Sequence, residues 1–193
     1  MSKAAKIIEL AGPSGSGKST IAQKLLADFD NLFFSISATT REPRSYERHG
    51  REYYFISDEE FDEHIEAENF LEWEQVYKGT RYGTLKSEVD KQLKSGYFTL
   101  LDIDVEGALS VKEIYGSNCF AIFIQPPSLS ELRKRLVDRK TESKQALEQR
   151  MERARREMQY INHFDFTVIN YKNKLDETYS KVKKRVSSFI KQN

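Results

Sequence analysis

A glycine-rich segment near the N-terminus, Gly12–Thr20, constrains the fold of this chain more than any other feature. It reads Gly-Pro-Ser-Gly-Ser-Gly-Lys-Ser-Thr and fits the phosphate-loop pattern G-x-x-x-x-G-K-[ST]. Glycine has no Cβ atom, so a glycine-rich segment can curl until several backbone N–H groups point at one spot. Such a cluster of donors can bind the closely spaced anionic oxygens of phosphate groups. Lys18 adds a mobile positive charge for the β- and γ-phosphates, and Ser19 offers a hydroxyl to Mg²⁺. The segment therefore predicts a loop that holds a nucleotide by its phosphates.

The flanks of this loop supply the context that a bare motif lacks. Lys6–Ala11 is short, apolar and β-branched, as a buried strand is, and Ile21–Phe29 has apolar residues at helical spacing. Strand, glycine loop and helix in this order aim a helix N-terminus at phosphate. The alternative is an ordinary Gly/Ser turn between two elements, and these flanks disfavour it.

Composition bounds the class of protein. The length of 193 residues suits one compact domain with inserted pieces, and a formal net charge of +1 argues against a protein that grips nucleic acid by bulk charge. Apolar runs such as Cys119–Ile124 are too short to span a bilayer, and the N-terminus has no apolar signal core. The single cysteine, Cys119, excludes an internal disulfide. We therefore expect a cytoplasmic protein without a nucleic-acid or membrane partner.

Apolar runs and helical periodicities alternate along the rest of the chain. Further strands are expected at Asn31–Ser35, Tyr97–Asp102, Phe120–Ile124 and Phe166–Asn170, and helices at Leu85–Lys94, Gly107–Ile114, Ser130–Arg139, Ala146–Ile161 and Leu175–Ile190. Continuous apolar strands of this kind suit a parallel sheet that is covered on both faces. The pattern predicts a doubly wound α/β fold, with helices flanking the sheet and the nucleotide at the carboxyl ends of the strands.

Two segments interrupt this alternation. Residues 37–84 are rich in Arg, Tyr and Glu, with strand-like pieces at Tyr53–Ser57 and near Leu71–Val76 and a short helix near Asp58–Glu66. Residues 126–150 are highly charged and indicate a helical lid. We expect a single domain, 1–193, whose core (1–36, 85–125 and 151–193) carries a small mixed α/β insertion for the acceptor and a lid that excludes water.

Charged side chains beside the loop suggest its partners. Asp102 ends a buried strand, where a carboxylate can hold Mg²⁺ in the manner of a Walker-B aspartate, although a strand-terminal turn aspartate is the alternative. Asp104, two residues on, should lie near the same mouth and could reach an acceptor. The guanidinium groups of Arg41 and Arg44 can bind phosphate bidentately, and the hydroxyl groups of Tyr53 and Tyr82 can donate further hydrogen bonds to it. A solvated basic loop is the alternative for the two arginines.

Together these motifs identify a family. The chain resembles guanylate kinase over nearly its whole length, on the ordered set GPSGSGKST, S-x-TTR-x-PR (Ser37–Arg44), G-x-x-YYF (Gly50–Phe55), FLEW (Phe70–Trp73), YGT (Tyr82–Thr84), LDIDVEGA (Leu101–Ala108), PPS (Pro126–Ser128) and VIN (Val168–Asn170). Any one of these motifs is weak alone, but the ordered set is highly specific.

The resemblance implies a role for each matching residue. Gly12, Pro13, Ser14, Gly15, Ser16, Gly17, Lys18, Ser19 and Thr20 would bind ATP; Arg41, Arg44, Tyr53 and Tyr82 would clamp the phosphate of GMP; Ser37, Glu72, Thr84 and Asp104 would surround guanine; and Ser19 and Asp102 would hold the metal. The catalytic set would be Lys18 and Arg41 with the lid arginines Arg135, Arg139 and Arg150.

The implied activity is the Mg²⁺-dependent transfer of a phosphoryl group from ATP to GMP, and by extension to dGMP, in purine nucleotide metabolism. An ionised Glu72 can accept both N1–H and the 2-amino group of guanine, whereas adenine offers an acceptor at N1 and no 2-amino group. ATP and GMP or dGMP would be the partners. The sequence leaves open whether the chain is a monomer or a homodimer.

Two other interpretations remain open at this stage. A related phosphate-loop kinase would act on another monophosphate or a sugar phosphate, and the guanine set disfavours it. A scaffold-type guanylate-kinase-like module would bind proteins without catalysis, and the intact loop disfavours it. The chain also departs from the family at Thr84, where Ser is common, and at Tyr171-Lys172, where acidic residues are usual. The second departure affects the contact to the adenine of ATP.

Overall fold

The computed structural model describes residues 6–75, 79–138 and 144–192 as alternating strands and helices. In chain order the strands are β1 (Lys6–Ala11), β2 (Leu32–Phe34), β3 (Ala38–Thr39), β4 (Tyr54–Phe55), β5 (Phe70–Gln75), β6 (Arg81–Leu85), β7 (Phe98–Asp102), β8 (Cys119–Gln125) and β9 (Phe166–Ile169). The α-helices are α1 (Lys18–Asp28), α2 (Asp58–Glu66), α3 (Lys86–Lys94), α4 (Val105–Tyr115), α5 (Leu129–Asp138), α6 (Lys144–Glu157) and α7 (Leu175–Gln192). Short 3₁₀ helices follow α4 at Gly116–Asn118 and α6 at Met158–His163.

Five parallel strands form the main sheet, in the order β2-β7-β1-β8-β9. Alternate residues of the central strand β1 face opposite layers: Ile8 and Leu10 pack with α1 and α7, and Ile7 and Ala11 pack with α4. Both faces of the strand are therefore buried, which explains its unbroken apolar sequence. The predicted α/β fold, a parallel sheet flanked by helices, is confirmed.

A second, smaller sheet lies within residues 38–85, in the order β4-β3-β6-β5. Helix α2 covers it through Phe61, which packs against Ala38 and Phe70. The helix begins after a capping box in which Ser57 and Glu60 satisfy each other's backbone N–H groups. The boundaries of the insertion and of the lid remain a proposal, but this segment folds as the mixed α/β unit that its composition indicates.

Most element predictions agree with the structure to within a few residues, and α2 has the predicted bounds. The predicted helix Ala146–Ile161 ends as an α-helix at Glu157 and continues as a 3₁₀ helix. The cause is visible in the core, where Met158, Ile161 and Phe164 pack at three-residue spacing, the repeat of a 3₁₀ helix. In the described ranges, every helix is too short or too polar to cross a bilayer.

Glu9 is a carboxylic acid in the middle of the apolar strand β1. Its side chain is fully buried, and its carboxyl oxygens have no hydrogen bond of normal geometry within the described residues. Burial raises the pKa of Glu9 well above its usual range, and the Cys119 thiol and the Lys112–Asp165 ion pair are its polar surroundings. The fold therefore favours the neutral acid and is penalised when Glu9 ionises.

Replacing Glu9 with leucine is expected to raise the free energy of unfolding by about 1–3 kcal/mol at pH 8, because a buried polar group without a partner is removed. In the unfolded chain the Glu9 carboxyl loses its proton near pH 4.3, whereas in the folded chain it stays protonated to a higher pH. The parent protein therefore loses stability as the pH rises above about 4.3, and the stability gained by Glu9→Leu is smaller at pH 5 than at pH 8. Urea unfolding at the two pH values measures the difference, with the exposed Glu113→Leu as control. A gain that is the same at both pH values would contradict this account of Glu9.

Candidate functional site

A cavity of about 470 Å³ opens at the carboxyl ends of β1 and β7. It lies where the loop after β1, the end of β7, the small sheet and helix α6 meet. Its lining includes most of the residues singled out in the sequence: Gly12, Ser14, Gly15, Gly17, Lys18, Ser19, Thr20, Ser37, Arg41, Arg44, Tyr53, Glu72, Tyr82, Asp102, Asp104 and Arg150. One site therefore combines the phosphate loop with the side chains expected to bind an acceptor.

The loop itself needs glycine at two positions for steric reasons. Gly12 has φ +130°, and a Cβ there would lie 2.4 Å from the carbonyl oxygen of Ile124. Gly17 has φ +100°, and a Cβ there would lie 2.3 Å from Nδ2 of Asn170. Helix α1 begins at the next residue, Lys18, so its first N–H groups face the cavity mouth. The Lys18 ammonium donates to the Gly12 carbonyl at 2.7 Å and so stays folded over the loop.

Two residues of the predicted loop set do not line the cavity. Pro13 has no N–H group, and the Ser16 N–H donates to the Pro13 carbonyl at 3.0 Å. The Ser16 carbonyl in turn accepts from Nδ2 of Asn170 at 2.8 Å. These contacts shape the loop and tie it to the end of β9, while the amides of the neighbouring residues remain for an anion.

Ser19 and Asp102 form the pair expected for a metal. The Ser19 hydroxyl donates to Oδ2 of Asp102 at 2.7 Å, although the two residues are far apart in sequence. Across the described part of the chain, no cluster of three or more His, Cys, Asp or Glu side chains is arranged to hold a metal ion. A hydroxyl beside a single carboxylate fits a hard cation such as Mg²⁺, which keeps several waters and takes phosphate oxygens as ligands.

The predicted phosphate clamp is held in place by Glu47. Arg41 donates from Nη1 and Nη2 to the two carboxylate oxygens of Glu47, at 2.9 and 3.0 Å, and from Nε to the Tyr82 hydroxyl at 3.1 Å. The backbone N–H of Arg44 donates to Glu47 as well, at 2.8 Å. The hydrogen bonds from Arg41 lower the pKa of Glu47, so it stays ionised. Burial raises the pKa of Tyr53 to about 12, so its phenol stays a donor at neutral pH.

Glu72 presents a carboxyl group to the cavity from β5. The Thr84 hydroxyl on the neighbouring strand β6 donates to its Oε1 at 2.5 Å, so Thr84 supports Glu72 from a fully buried position. A Cβ on Gly107 would lie 2.6 Å from Oε2, so glycine in the first turn of α4 leaves the room that this carboxyl needs. Burial raises the pKa of Glu72 to about 7, with Thr84 opposing the shift and the charge of Asp104 adding to it.

Asp104 stands at the start of α4 and also lines the cavity. Its Oδ1 accepts from the Gly107 N–H at 2.9 Å and so caps the helix. The Oδ1 atom also lies 3.8 Å from Nη2 of Arg153. The carboxylate therefore caps the helix at a position that lines the cavity.

The three arginines predicted in the lid differ in their positions. Arg150 lines the cavity, and its Nη1 donates to the Ser14 hydroxyl in the loop at 2.9 Å. Arg135 does not line the cavity: its Nη2 donates to the Asn170 carbonyl at 2.8 Å, and its Nε donates to Oε1 of Glu131 at 3.4 Å. Its place over the phosphates stays a prediction. Arg139 lies outside the described residues.

Comparison with known proteins assigns the family. The guanylate kinase family model matches residues 4–189. This chain belongs to the guanylate kinase family. A guanylate kinase from Porphyromonas gingivalis is 47% identical over 186 residues, which is 96% of this chain and 98% of the relative. One from Thermotoga maritima is 42% identical over 86% of this chain and 79% of the relative. The crystal structure of guanylate kinase from Anaplasma phagocytophilum superposes with a TM-score of 0.76 and 29% identity, covering 97% of this chain and 86% of that one.

Membership in the guanylate kinase family confirms the recognition made from the ordered motifs and the prediction of a kinase. It also leaves several cavity residues that the motifs did not indicate: Thr80, Gly83, Ile103, Arg153 and Glu157. Arg153 and Glu157 lie one turn apart on α6, within a segment whose charges resemble those of any solvated helix. Their burial is what distinguishes these two residues from other charged residues of the helix. Burial of a charged residue depends on tertiary packing, so the sequence alone does not indicate it.

Proposed function

We propose that this chain transfers the γ-phosphoryl group of ATP to GMP, and likewise to dGMP, with Mg²⁺, forming ADP and GDP or dGDP in purine nucleotide metabolism. One observation carries the proposal: a single cavity joins a phosphate loop to Glu72, a carboxyl group that is supported by Thr84 and faces the space where a base fits. The family relationship supports the same activity.

The donor half of the site is built to neutralise phosphate charge. The N–H groups around Gly15 and Gly17 and the N-terminus of α1 point positive dipoles at the cavity. Lys18, folded over the loop by its bond to Gly12, can follow the transferred group. Arg150 reaches the loop through Ser14 and adds a second cation close to the same anion.

The acceptor half holds a monophosphate opposite the loop. Arg41, Arg44, Tyr53 and Tyr82 line this part of the cavity and offer guanidinium and phenol donors. The attacking oxygen belongs to a phosphate that is already anionic, so the site needs no general base. Its task is to align the two phosphates for in-line transfer and to exclude water.

The base is chosen by hydrogen bonding. Glu72 accepts N1–H and one 2-amino hydrogen of guanine, while Thr84 fixes the carboxylate from behind and Ser37 lies in the same lining. Adenine would leave the buried carboxylate facing an acceptor, and such a mismatch can cost ~10⁴-fold in specificity. dGMP shares the base and phosphate that these residues contact.

Ser19 and Asp102 are the residues that would hold Mg²⁺. Held there, the cation would supply positive charge that offsets the negative charge of the transferred phosphoryl group. The chain's own contribution is the fixed hydroxyl–carboxylate pair at the end of β7, next to the loop.

An acceptor panel tests the proposal. The purified chain is given ATP with GMP, dGMP, AMP, IMP, CMP or UMP, and ADP release is coupled to a spectroscopic signal with and without excess EDTA. We expect high rates with GMP and dGMP, low rates with the others, and no rate with EDTA. A preference for AMP or a pyrimidine nucleotide would overturn the assignment of the base site. Activity in excess EDTA would overturn the proposed dependence on Mg²⁺.

The affinity for GMP is expected to depend on pH through Glu72. Only the ionised carboxylate accepts both guanine donors, so affinity is full above the pKa of about 7 and falls up to tenfold per pH unit below it. Titration of GMP between pH 6 and 8.5 measures the effect. The phosphate of GMP itself titrates near pH 6 and affects binding to the parent and to Glu72→Gln alike. The ratio of the two dissociation constants for GMP therefore isolates the contribution of Glu72. A pH-independent ratio would contradict the prediction.

A further inference from the structure

Glu47 is a buried carboxylate beside the acceptor half of the cavity. Its side chain is only 4% exposed and does not line the cavity, whereas its neighbours Arg41 and Arg44 do. A negative charge next to a site for an anionic phosphate repels the ligand, and burial strengthens the repulsion. A carboxylate in this place therefore has to contribute something that outweighs its charge. The hydrogen bonds that it accepts show what this contribution is.

Most of the donors of Arg41 are already in use. A guanidinium group carries five N–H bonds. Two of them go to Glu47, from Nη1 and Nη2 at 2.9 and 3.0 Å. One goes from Nη1 to the Glu42 carbonyl at 2.7 Å, and one from Nε to the Tyr82 hydroxyl at 3.1 Å. Among the contacts of the described residues, a single N–H bond, on Nη2, is left for a ligand. The orientation of the guanidinium group is therefore fixed before any ligand arrives.

This arrangement also sets the direction of the Tyr82 hydroxyl. The phenol oxygen accepts from Nε of Arg41, so its own hydrogen points elsewhere. Tyr82 lines the cavity, and within the described ranges its hydroxyl donates to no other residue. Accepting a hydrogen bond from a cation also makes the phenol a stronger donor. The carboxylate, the guanidinium group and the phenol thus form a chain of hydrogen bonds that ends in a donor available to the cavity.

Glu47 also fixes the backbone that carries Arg44. The Glu47 N–H donates to the Arg44 carbonyl at 2.9 Å, and the Glu47 carboxylate accepts from the Arg44 N–H at 2.8 Å. These two bonds run in opposite directions and close the turn between the two residues. The Arg44 side chain is 58% exposed and donates from Nη1 to the Tyr46 hydroxyl at 3.2 Å, so most of its N–H bonds remain for a phosphate.

We propose that Glu47 is a positioning residue for the acceptor phosphate. Its carboxylate holds Arg41 in the orientation that turns the Tyr82 hydroxyl hydrogen toward the phosphate, and it closes the turn from which Arg44 reaches the same group. This inference rests on the proposed function, in which these neighbours bind the phosphate of GMP. Glu47 itself acts through them and does not touch the ligand.

Replacing Glu47 with glutamine separates positioning from charge. The variant side chain has nearly the same shape, but one acceptor oxygen becomes an NH₂ group that meets a donor of Arg41. The guanidinium group loses its fixed orientation, and the Tyr82 hydroxyl loses its direction. Charge alone predicts the opposite result, because removing a carboxylate from beside the phosphate would tighten GMP binding. The sign of the change in GMP affinity therefore distinguishes the two effects.

The test combines titration calorimetry of GMP with steady-state kinetics for the parent and Glu47→Gln. We expect the dissociation constant and the KM for GMP to rise ~10-fold or more, because the phosphate donors are misplaced. The KM for ATP and kcat should change less than about 3-fold, since the phosphate loop is untouched. Guanosine, which has the base but no phosphate, is measured as a competitive inhibitor against GMP. Its inhibition constant should change less than about 3-fold.

Glu42→Gln is the matched control for charge. It removes a negative charge from an exposed side chain next to Arg41 and keeps the backbone carbonyl to which Arg41 donates. All constants of this variant should stay within about 2-fold of the parent, as is usual for an exposed charge.

Tyr82→Phe tests the chain of hydrogen bonds. Alone, it should weaken GMP binding, because the phosphate loses a donor. Added to Glu47→Gln, it should raise the dissociation constant of GMP by less than about 3-fold further, since the hydroxyl has already lost its direction. Should Glu47→Gln fail to fold, Arg41→Lys takes its place, because an ammonium group keeps the charge but lacks the planar fork that reaches Glu47 and Tyr82 together. The same GMP-specific loss and the same non-additivity with Tyr82→Phe are expected.

Several results would overturn the role of Glu47 while the parent remains an active kinase. They are unchanged or tighter GMP binding by Glu47→Gln, an equal rise in the inhibition constant of guanosine, and effects of Glu47→Gln and Tyr82→Phe that simply multiply in the double variant. A parent protein that does not phosphorylate GMP would instead overturn the proposed function.

Discussion

Replacing Lys18 with alanine is expected to lower the rate of phosphoryl transfer by about 10³-fold or more, because the transition state loses the cation that follows the transferred group. GMP binding should be unchanged, since Lys18 lies on the loop and contacts Gly12, away from the base site. The fold should also persist, because the loop keeps its glycines and the Asn170–Ser16 contact. Single-turnover rates with saturating ATP and GMP measure the effect.

The matched control for this prediction is Lys24→Ala, on the same helix α1. Lys24 pairs with Asp176 at the surface and does not line the cavity, so turnover should stay close to that of the parent. Turnover of Lys18→Ala within a few-fold of the parent would contradict the assignment of this lysine to the transferred phosphate.

Glu72→Gln is expected to weaken GMP binding by ~2–4 kcal/mol, because a charge-assisted pair becomes a meeting of two donors. The structure indicates how the new amide will be oriented. The Thr84 hydroxyl donates to Oε1 of Glu72 at 2.5 Å, so the glutamine carbonyl should take that position and its NH₂ group should face the base. ATP affinity should barely change, since Glu72 lies on β5 in the small sheet.

IMP and a surface glutamate provide the controls for this variant. IMP keeps N1–H but lacks the 2-amino group, so it should already bind the parent poorly and lose less on mutation. Glu66→Gln changes an exposed residue of helix α2 and should have no effect on either nucleotide. Equal losses for GMP and IMP, or an unchanged GMP constant, would remove Glu72 from the base site.

The features that the sequence predicted well are local. The phosphate loop, the strand before it and the helix after it are encoded within residues 6–29, and glycine, lysine and serine types report directly on backbone shape and charge. Helix α2 carries its own start signal in Ser57 and Glu60. Strands buried on both faces are likewise visible as continuous apolar runs.

What the sequence did not reveal depends on contacts between distant segments. Arg153 and Glu74 are 79 residues apart, and nothing in either local sequence indicates that they meet. In the sequence, Glu47 looks like an ordinary charged residue of a basic loop, and only the structure shows that Arg41 donates hydrogen bonds to it. Likewise, nothing in the local sequence of α5 indicates that Arg135 donates to the Asn170 carbonyl. Strand β6 was missed because Gly83 interrupts its strand pattern.

The stoichiometry of products tests the central claim most directly. The purified chain is incubated with Mg²⁺, ATP and GMP, and all four nucleotides are quantified by ion-exchange chromatography over time. The account predicts that ADP and GDP appear together in a ratio of one to one, with no ADP formed when GMP is omitted. ADP formed without GDP would show that water, and not GMP, receives the phosphoryl group, and would contradict the proposal that this cavity joins a donor and an acceptor nucleotide.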